Sequence, residues 1–305
     1  MTAKVLITGA RGQLGQALLR LRPANWVVSA FGSDQLDISD FHVVRQVVDQ
    51  IRPTVILNAA AYNAVDRAEA DSSRAMAVNA EGPLNLARAA NDVGARLVHI
   101  STDYVFDGVA RQPYTELAEP NPINVYGRSK LQGERLVLAE QPNALVVRTA
   151  WVYSDALNNF VATVLKAARS GQHLRVVDDQ TGTPTFAGNL AQAVIELIEH
   201  ADAAGGVYNY TGATALTRYE FAKAILEVAT AVDEEDGAKS TKDISVYRTA
   251  LMNLRPVSSS DYPSAAARPK YTALDCQKIK GLGIIIQPLM HDLPYVVRQL
   301  IQRQV

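Results

Sequence analysis

Lys4-Val-Leu-Ile-Thr8 runs straight into Gly9-Ala-Arg-Gly12-Gln-Leu-Gly15. A short, wholly apolar run of this kind reads as a strand of a parallel sheet covered on both faces. The three glycines then turn the chain into a helix through Gln16-Ala-Leu-Leu-Arg20. The first glycine permits the tight turn, the next lets backbone approach a pyrophosphate, and the last lets the helix pack close to the sheet. Amides at the helix N-terminus face the phosphates. The stretch therefore predicts a dinucleotide held by Gly9, Arg11, Gly12, Gln13, Leu14 and Gly15.

Further strands are read outward from it, at 26–31, 54–58, 96–101 and 144–148. Helical stretches at 39–51, 75–93 and 129–140 separate them, with Ser39 or Asp40 as an N-cap and Gly94 as a C-terminal cap. This alternation predicts an α/β, Rossmann-like, doubly wound parallel sheet. After Trp151 the rhythm loosens into helices at 159–168 and 187–199, a short strand at 174–177, and a run at 207–210 that returns to the sheet. Residues 233–242 read as an exposed charged loop. Residues 256–269 hold three prolines and read as a long irregular segment of the kind that covers a site. The expected division is an NAD(P)-binding domain over 1–150, rejoined by 187–212, and a smaller C-terminal substrate-binding lobe of 151–186 and 213–305.

Composition narrows the function classes. The 305 residues are 48% hydrophobic and carry a net charge of -1, enough apolar content for a large core. Such a balance carries no nucleic-acid or membrane footprint. The lone Cys276 fits a reducing cytoplasm. The first strand begins at Lys4, which leaves no room for a signal peptide, and no uncharged stretch is long enough to span a bilayer. Asn209-Tyr-Thr211 matches a glycosylation sequon and is read as chance.

The chemistry is carried by Tyr126 and Lys130, four apart in Asn124-Val-Tyr-Gly-Arg-Ser-Lys130. Residues so spaced share one helix face. Reduction of a carbonyl needs a proton on oxygen as hydride reaches carbon. A free phenol, with a pKa of about 10, is a poor donor. An adjacent ammonium and the positive ring of an oxidised nicotinamide are expected to lower it. Lys130 also suits the nicotinamide ribose, and a hydroxyl from Ser101 or Thr102 would bind the substrate oxygen. Tyr219-Glu-Phe-Ala-Lys223 has the same spacing, but Thr217 and Glu220 mark it as an ordinary capped helix. No metal-ligand set stands out.

The G-x-x-G-x-x-G turn resembles the extended short-chain dehydrogenase/reductase superfamily. An acid that would hold the adenosine ribose is missing where the second strand ends, at Ala30-Phe31-Gly32-Ser33. Arg11 and Ser33 are placed instead to meet a 2′-phosphate, so NADPH is expected, with NADH the alternative. Asp37 and Ile38 lie where related enzymes contact adenine; Asp37 also suits loop or N-cap chemistry.

More specific blocks follow. Asn58-Ala-Ala-Ala-Tyr-Asn-Ala-Val-Asp66, Ser101-Thr-Asp-Tyr-Val-Phe-Asp-Gly108, the Tyr126 block, Arg148-Thr-Ala-Trp-Val-Tyr153, Asp179-Gln-Thr-Gly-Thr-Pro-Thr185 and Ala267-Arg-Pro269 resemble the dTDP-4-dehydrorhamnose reductase family over nearly the whole chain. The resemblance implies reduction of a dTDP-linked 4-keto-6-deoxy sugar to dTDP-L-rhamnose. It implies Thr102, Tyr126 and Lys130 as catalytic residues, and Ala59, Ala60, Ala61 and Ser101 as further cofactor contacts. Val65, Tyr104 and Trp151 would contact the sugar with Thr102 and Tyr126, and Arg268 the nucleotide diphosphate. Members with a magnesium-linked dimer carry glutamates where this chain has Ala17 and Gly188. That departure argues against the metal bridge and for a monomer, with a homodimer the alternative. The competing readings are a non-catalytic subunit like the beta subunit of methionine adenosyltransferase, and a nucleotide-sugar epimerase or dehydratase.

Overall fold

The computed structural model describes residues 2–236 and 245–303. Its centre is a six-stranded sheet, formed by β1 (Ala3–Thr8), β2 (Trp26–Phe31), β3 (Val55–Asn58), β4 (Arg96–Thr102), β5 (Leu145–Thr149) and β6 (Gly206–Asn209). The order is β6-β5-β4-β3-β1-β2 and every pairing is parallel. The chain steps from β1 outward to β2, then returns across β1 to β3. That reversal leaves a crevice beyond the carboxyl ends of β1 and β3, where open α/β sheets take their ligands.

Alternation along the strands distributes the core between two faces. Val5, Ile7, Leu57, Val98 and Val147 meet the helices Gln13–Leu21 and Ala187–Glu199 on one face. Leu6, Ile56, Leu97 and Val146 meet Phe41–Ile51 and Gly82–Val93 on the other. A separate core around Tyr153, Leu165, Phe221, Ile225 and Leu293 is built by Phe160–Arg169, Arg218–Asp236, Val246–Asn253 and Leu289–Gln302.

Short polar side chains start several of these helices. Asp40 accepts from the amides of His42 and Val43, Asn159 from Ala162, and Asn124 from Gly127 at 2.7 Å. The Asn124 cap starts its helix at Val125, earlier than the expected 129, and puts Tyr126 in the first turn. Thr217 and Glu220 exchange reciprocal bonds at 2.7 and 3.1 Å, a full capping box.

Three expectations need correction. The helix expected over 75–93 is broken into Ser72–Met76, a π turn Ala77–Glu81, and Gly82–Val93. Pro83 explains the break, since it has no N–H to give the Asn79 carbonyl and its ring crowds that carbonyl. Asp233 to Asp236 are not loop but the last residues of Arg218–Asp236, and 237–242 lie outside the described residues. The segment 256–269 begins ordered, because Arg255–Val257 pairs with Arg175–Val177 and a 3₁₀ turn follows at Ser259–Asp261. Among the described residues no helix is long and apolar enough to cross a membrane.

Candidate active site

The crevice holds two joined cavities. One, of about 300 Å³, is lined by Gly12, Leu14, Thr102, Tyr126, Lys130 and Trp151 among others. The other, of about 310 Å³, is lined by Arg11, Ser33, Asp37, Ile38, Ala60 and Arg74 among others. Gly12, Ala59, Ala61 and Asn63 border both, so they form one trough across the switch point. Gly9 makes this possible. Its φ is +69°, and a Cβ there would stand 2.5 Å from the Ala60 nitrogen. The residues present thus fit an extended dinucleotide, with backbone along its middle and Leu36, Ile38 and Val78 as apolar walls at one end.

Gln13 ties the glycine turn to the segment after β5, donating to the Val152 carbonyl at 3.3 Å and accepting from the Ser154 hydroxyl at 2.8 Å. Leu14 is buried in the sheet core, and Gly15, in the first turn of the same helix, packs so close to the glycine turn that a Cβ there would lie 2.4 Å from the Gly9 carbonyl oxygen. Asp37 accepts from the Ser39 amide and hydroxyl and pairs with Arg74 at 2.9 Å. Burial pushes its carboxyl up, but these bonds outweigh that and hold it below the usual carboxylate value. The first acid after the end of β2 is Asp34, three residues beyond Phe31. It pairs with Arg11 at 2.8 Å, and both side chains are exposed.

At the other end of the trough, Tyr126 leans its ring edge-on against Tyr104, with centroids 5.7 Å apart. Gly127 allows that approach, since a Cβ there would lie 2.1 Å from the Tyr104 carbonyl oxygen. Burial pushes the Tyr126 phenol up, its hydrogen bond with Thr102 offsets this only partly, and Asp103 and Tyr104 add to the rise. The expected lowering by Lys130 is therefore not what the structure shows. The Lys130 ammonium is itself buried, which draws it down to about 8 against the pull of Glu134. Its Nζ donates to the Ile100 carbonyl at 2.6 Å and lies 3.4 Å from His99 Nε2.

The two candidate hydroxyls are separated by strand geometry, since neighbours on a strand point to opposite faces. Ser101 borders the same cavity, but its hydroxyl is committed to Glu134, donating to Oε1 at 2.5 Å. Thr102 is the hydroxyl on the Tyr126 side. It donates to Asp103 Oδ1 at 3.0 Å and accepts from the Tyr104 amide at 3.2 Å. Burial raises the Asp103 carboxyl to about 6, against hydrogen bonds from Thr272 and Thr102.

Trp151 has φ +45°, a left-handed conformation that is a genuine outlier for a bulky residue and one that clusters at functional sites. One face of its indole is covered by Arg218, whose guanidinium carbon lies 3.5 Å from the ring centroid. Arg218 also bonds the Tyr104 hydroxyl. It lines a third cavity, of about 690 Å³, together with Arg175, Gln180 and Arg268. Arg268 pairs with Asp66 at 2.6 Å, which holds the Asp66 carboxyl below its usual value. Val65 packs with Tyr62 and Tyr104 against the apolar cluster of Ala68, Ala75 and Tyr126.

The Tyr219–Lys223 pair stands apart from the Thr102, Tyr126 and Lys130 set. Tyr219 packs on the second core, and Lys223 pairs with Glu227 at 3.7 Å on the helix surface. Asn63, His99 and Arg218 escaped the sequence reading, though two of them carry a signal. Arg218 is a cation in the first turn of a helix, where the dipole disfavours positive charge. His99 is a polar residue inside an apolar core strand. Asn63 lies where its loop faces the trough, within 3.4 Å of the Tyr126 hydroxyl, and has no such local mark.

Residues 3–301 match the family model described as RmlD substrate binding domain. The chain is 38% identical over 284 residues to dTDP-4-dehydrorhamnose reductase of Aggregatibacter actinomycetemcomitans, covering 91% of this chain and 92% of that one. It is 39% identical over 293 residues to dTDP-4-keto-6-deoxy-D-glucose reductase of Streptomyces niveus, covering 95% and 94%. A crystal structure of dTDP-4-dehydrorhamnose reductase from Bacillus anthracis in complex with NADP superposes with a TM-score of 0.85. It is 35% identical and covers 99% of this chain and all of that one. A glycine turn at the switch point, a Thr102–Tyr126–Lys130 trough and whole-length similarity to these reductases together place the chain in the dTDP-4-dehydrorhamnose reductase family.

Proposed function

We propose that this chain reduces the 4-keto group of dTDP-4-dehydrorhamnose to give dTDP-L-rhamnose, with NADPH as reductant and Tyr126 as proton donor. The observation that carries the reading is the meeting of Thr102, Tyr126 and Lys130 in one cavity with the glycine turn. Reduced nicotinamide supplies hydride when bound along Gly12, Ala59 and Ala61. The residues of the chain handle the oxygen. Burial keeps Tyr126 protonated at neutral pH, so it holds the proton that the carbonyl oxygen needs. Thr102 orients that oxygen, and Lys130, poised near 8, replenishes the proton. Trp151 shapes the sugar site, and Arg268 with Arg218 meets the diphosphate in the larger cavity.

The test is to supply the dTDP-linked keto sugar with each reduced coenzyme and follow the reduced-nicotinamide absorbance. Oxidation of NADPH with formation of dTDP-L-rhamnose is expected. No oxidation of either coenzyme would overturn the reading. The D-configured keto sugar named for the Streptomyces relative is the control that settles which substrate configuration is accepted.

Two expectations follow for recognition. Among the described residues Arg11 is held only by an exposed pair with Asp34, worth at most about 1 kcal/mol, which leaves it able to swing to a 2′-phosphate. Arg11→Ala should weaken NADPH about tenfold and leave NADH nearly unchanged, as read by fluorescence titration of both coenzymes. An unchanged ratio removes Arg11 from coenzyme choice. Arg218→Met should raise KM for the nucleotide sugar about tenfold or more without changing the coenzyme Kd. A normal KM would confine Arg218 to packing on Trp151.

A further inference from the structure

Behind Lys130 lies a buried chain whose hydrogen-bond polarity is set residue by residue. The Ala60 amide can only donate, and it donates to Asn58 Oδ1 at 3.1 Å. The Thr8 hydroxyl donates to the same oxygen at 2.7 Å. These bonds orient the Asn58 side chain, so its Nδ2, a donor, faces His99 Nδ1 at 3.0 Å. Nδ1 accepts there and carries no proton. His99 is fully buried, and burial, reinforced by the charge of Lys130, pulls its imidazole well below the ordinary value. The ring is neutral and its one proton sits on Nε2. That nitrogen faces Lys130 Nζ at 3.4 Å. An ammonium offers only donors, so the two meet donor against donor, whereas a neutral amine offers a lone pair. The Ile100 carbonyl accepts from either form of Lys130 and holds the nitrogen in place.

We propose that His99 is a positioning residue that sets the charge state of Lys130, favouring the neutral amine by holding an N–H against it. The inference rests on the reading of Tyr126 as proton donor. In that reaction hydride is delivered to the carbonyl carbon from the reduced coenzyme, and the Tyr126 O–H bond breaks as the substrate oxygen takes the proton. The tyrosinate recovers a proton from the Lys130 ammonium, whose N–H bond breaks. The electron pair left on the amine accepts the His99 Nε2–H, and solvent later restores the ammonium. Other charged groups do not duplicate this role. Glu134, one turn along the same helix, favours the ammonium but is committed to Arg148 on β5. Asp103, beyond the end of β4, lines the cavity and bonds Thr102.

Nitrogen NMR of the histidine rings in the full chain tests the proposal directly, with His99→Leu assigning the His99 signal among five histidines. His99 is expected as the neutral Nε2–H form throughout the neutral range. An Nδ1–H form, or protonation near the ordinary histidine value, overturns the proposal. That measurement needs no substrate, so its outcome is separate from whether the keto sugar is turned over. The second arm is the pH profile of turnover. His99→Leu should move the limb set by Lys130 upward by about one unit, with the coenzyme Kd unchanged. An unmoved limb in folded His99→Leu also overturns it, and if that variant does not fold, replacing His42, His173, His200 and His291 in turn assigns the His99 signal by elimination and the wild-type ring still decides.

Discussion

Tyr126→Phe should cut turnover of the keto sugar by about a hundredfold to ten-thousandfold, with coenzyme binding left essentially intact. The substitution removes one oxygen from the reacting centre and little else. The ring packs with Ala68 and Ala75 and lies edge-on to Tyr104, contacts that phenylalanine keeps. The hydroxyl has only a long 3.4 Å contact to Asn63 and its bond with Thr102 to lose, so stability should change little. Steady-state kcat and a coenzyme titration separate the effects. Tyr219→Phe is the matched control, because its ring packs on the second core. A fully active Tyr126→Phe, or an inactive Tyr219→Phe, would show that the wrong tyrosine carries the proton.

The other large effect concerns stability. Arg148 and Glu134 form an ion pair at 2.7 Å with side chains 4% and 3% exposed. A second guanidinium nitrogen reaches Glu134 Oε1 at 3.0 Å, and Ser101 supplies one more bond to that oxygen. The Arg148 guanidinium also lies 5.1 Å from the Phe106 ring centroid. Arg148→Leu strands a buried carboxylate with one hydroxyl for company. The expected loss is about 3–5 kcal/mol, a large part of the roughly 5–15 kcal/mol available to a folded domain. Replacing both partners with leucines of similar bulk should recover most of it, because the desolvation of two charges disappears with them. Urea unfolding of the single and double variants is the measurement. A single variant as stable as wild type would mean that the pair contributes nothing. Since Glu134 is one turn from Lys130 and draws it toward the ammonium, the double variant should also move the pH limb downward.

Local chemistry made much of the fold legible. The apolar runs at 4–8 and 144–148, the glycine turn and the helix 187–199 could be read because strand period, turn chemistry and helix period are properties of neighbouring residues. The π turn could not be anticipated so easily, because it depends on where the Asn79 carbonyl can go once Pro83 has no N–H to offer. In the site, the four-residue spacing already put Tyr126 and Lys130 on one helix face. Strand alternation already required Ser101 and Thr102 to part ways, but did not say which hydroxyl meets Tyr126 and which meets Glu134.

From its sequence alone, this protein was determined to be a doubly wound α/β chain with a dinucleotide turn, a Thr102–Tyr126–Lys130 set and the blocks of a keto-sugar reductase. Only the tertiary structure decided the partners. Arg11 meets Asp34, Lys130 meets Ile100 and His99, Ser101 meets Glu134, and Arg218 covers Trp151. The Arg11, Lys130, Ser101 and Arg218 contacts join residues 23 to 67 positions apart in the chain, and hydrogen-bond polarity and burial settle them. Those quantities belong to the packed sheet and not to any stretch of neighbouring residues.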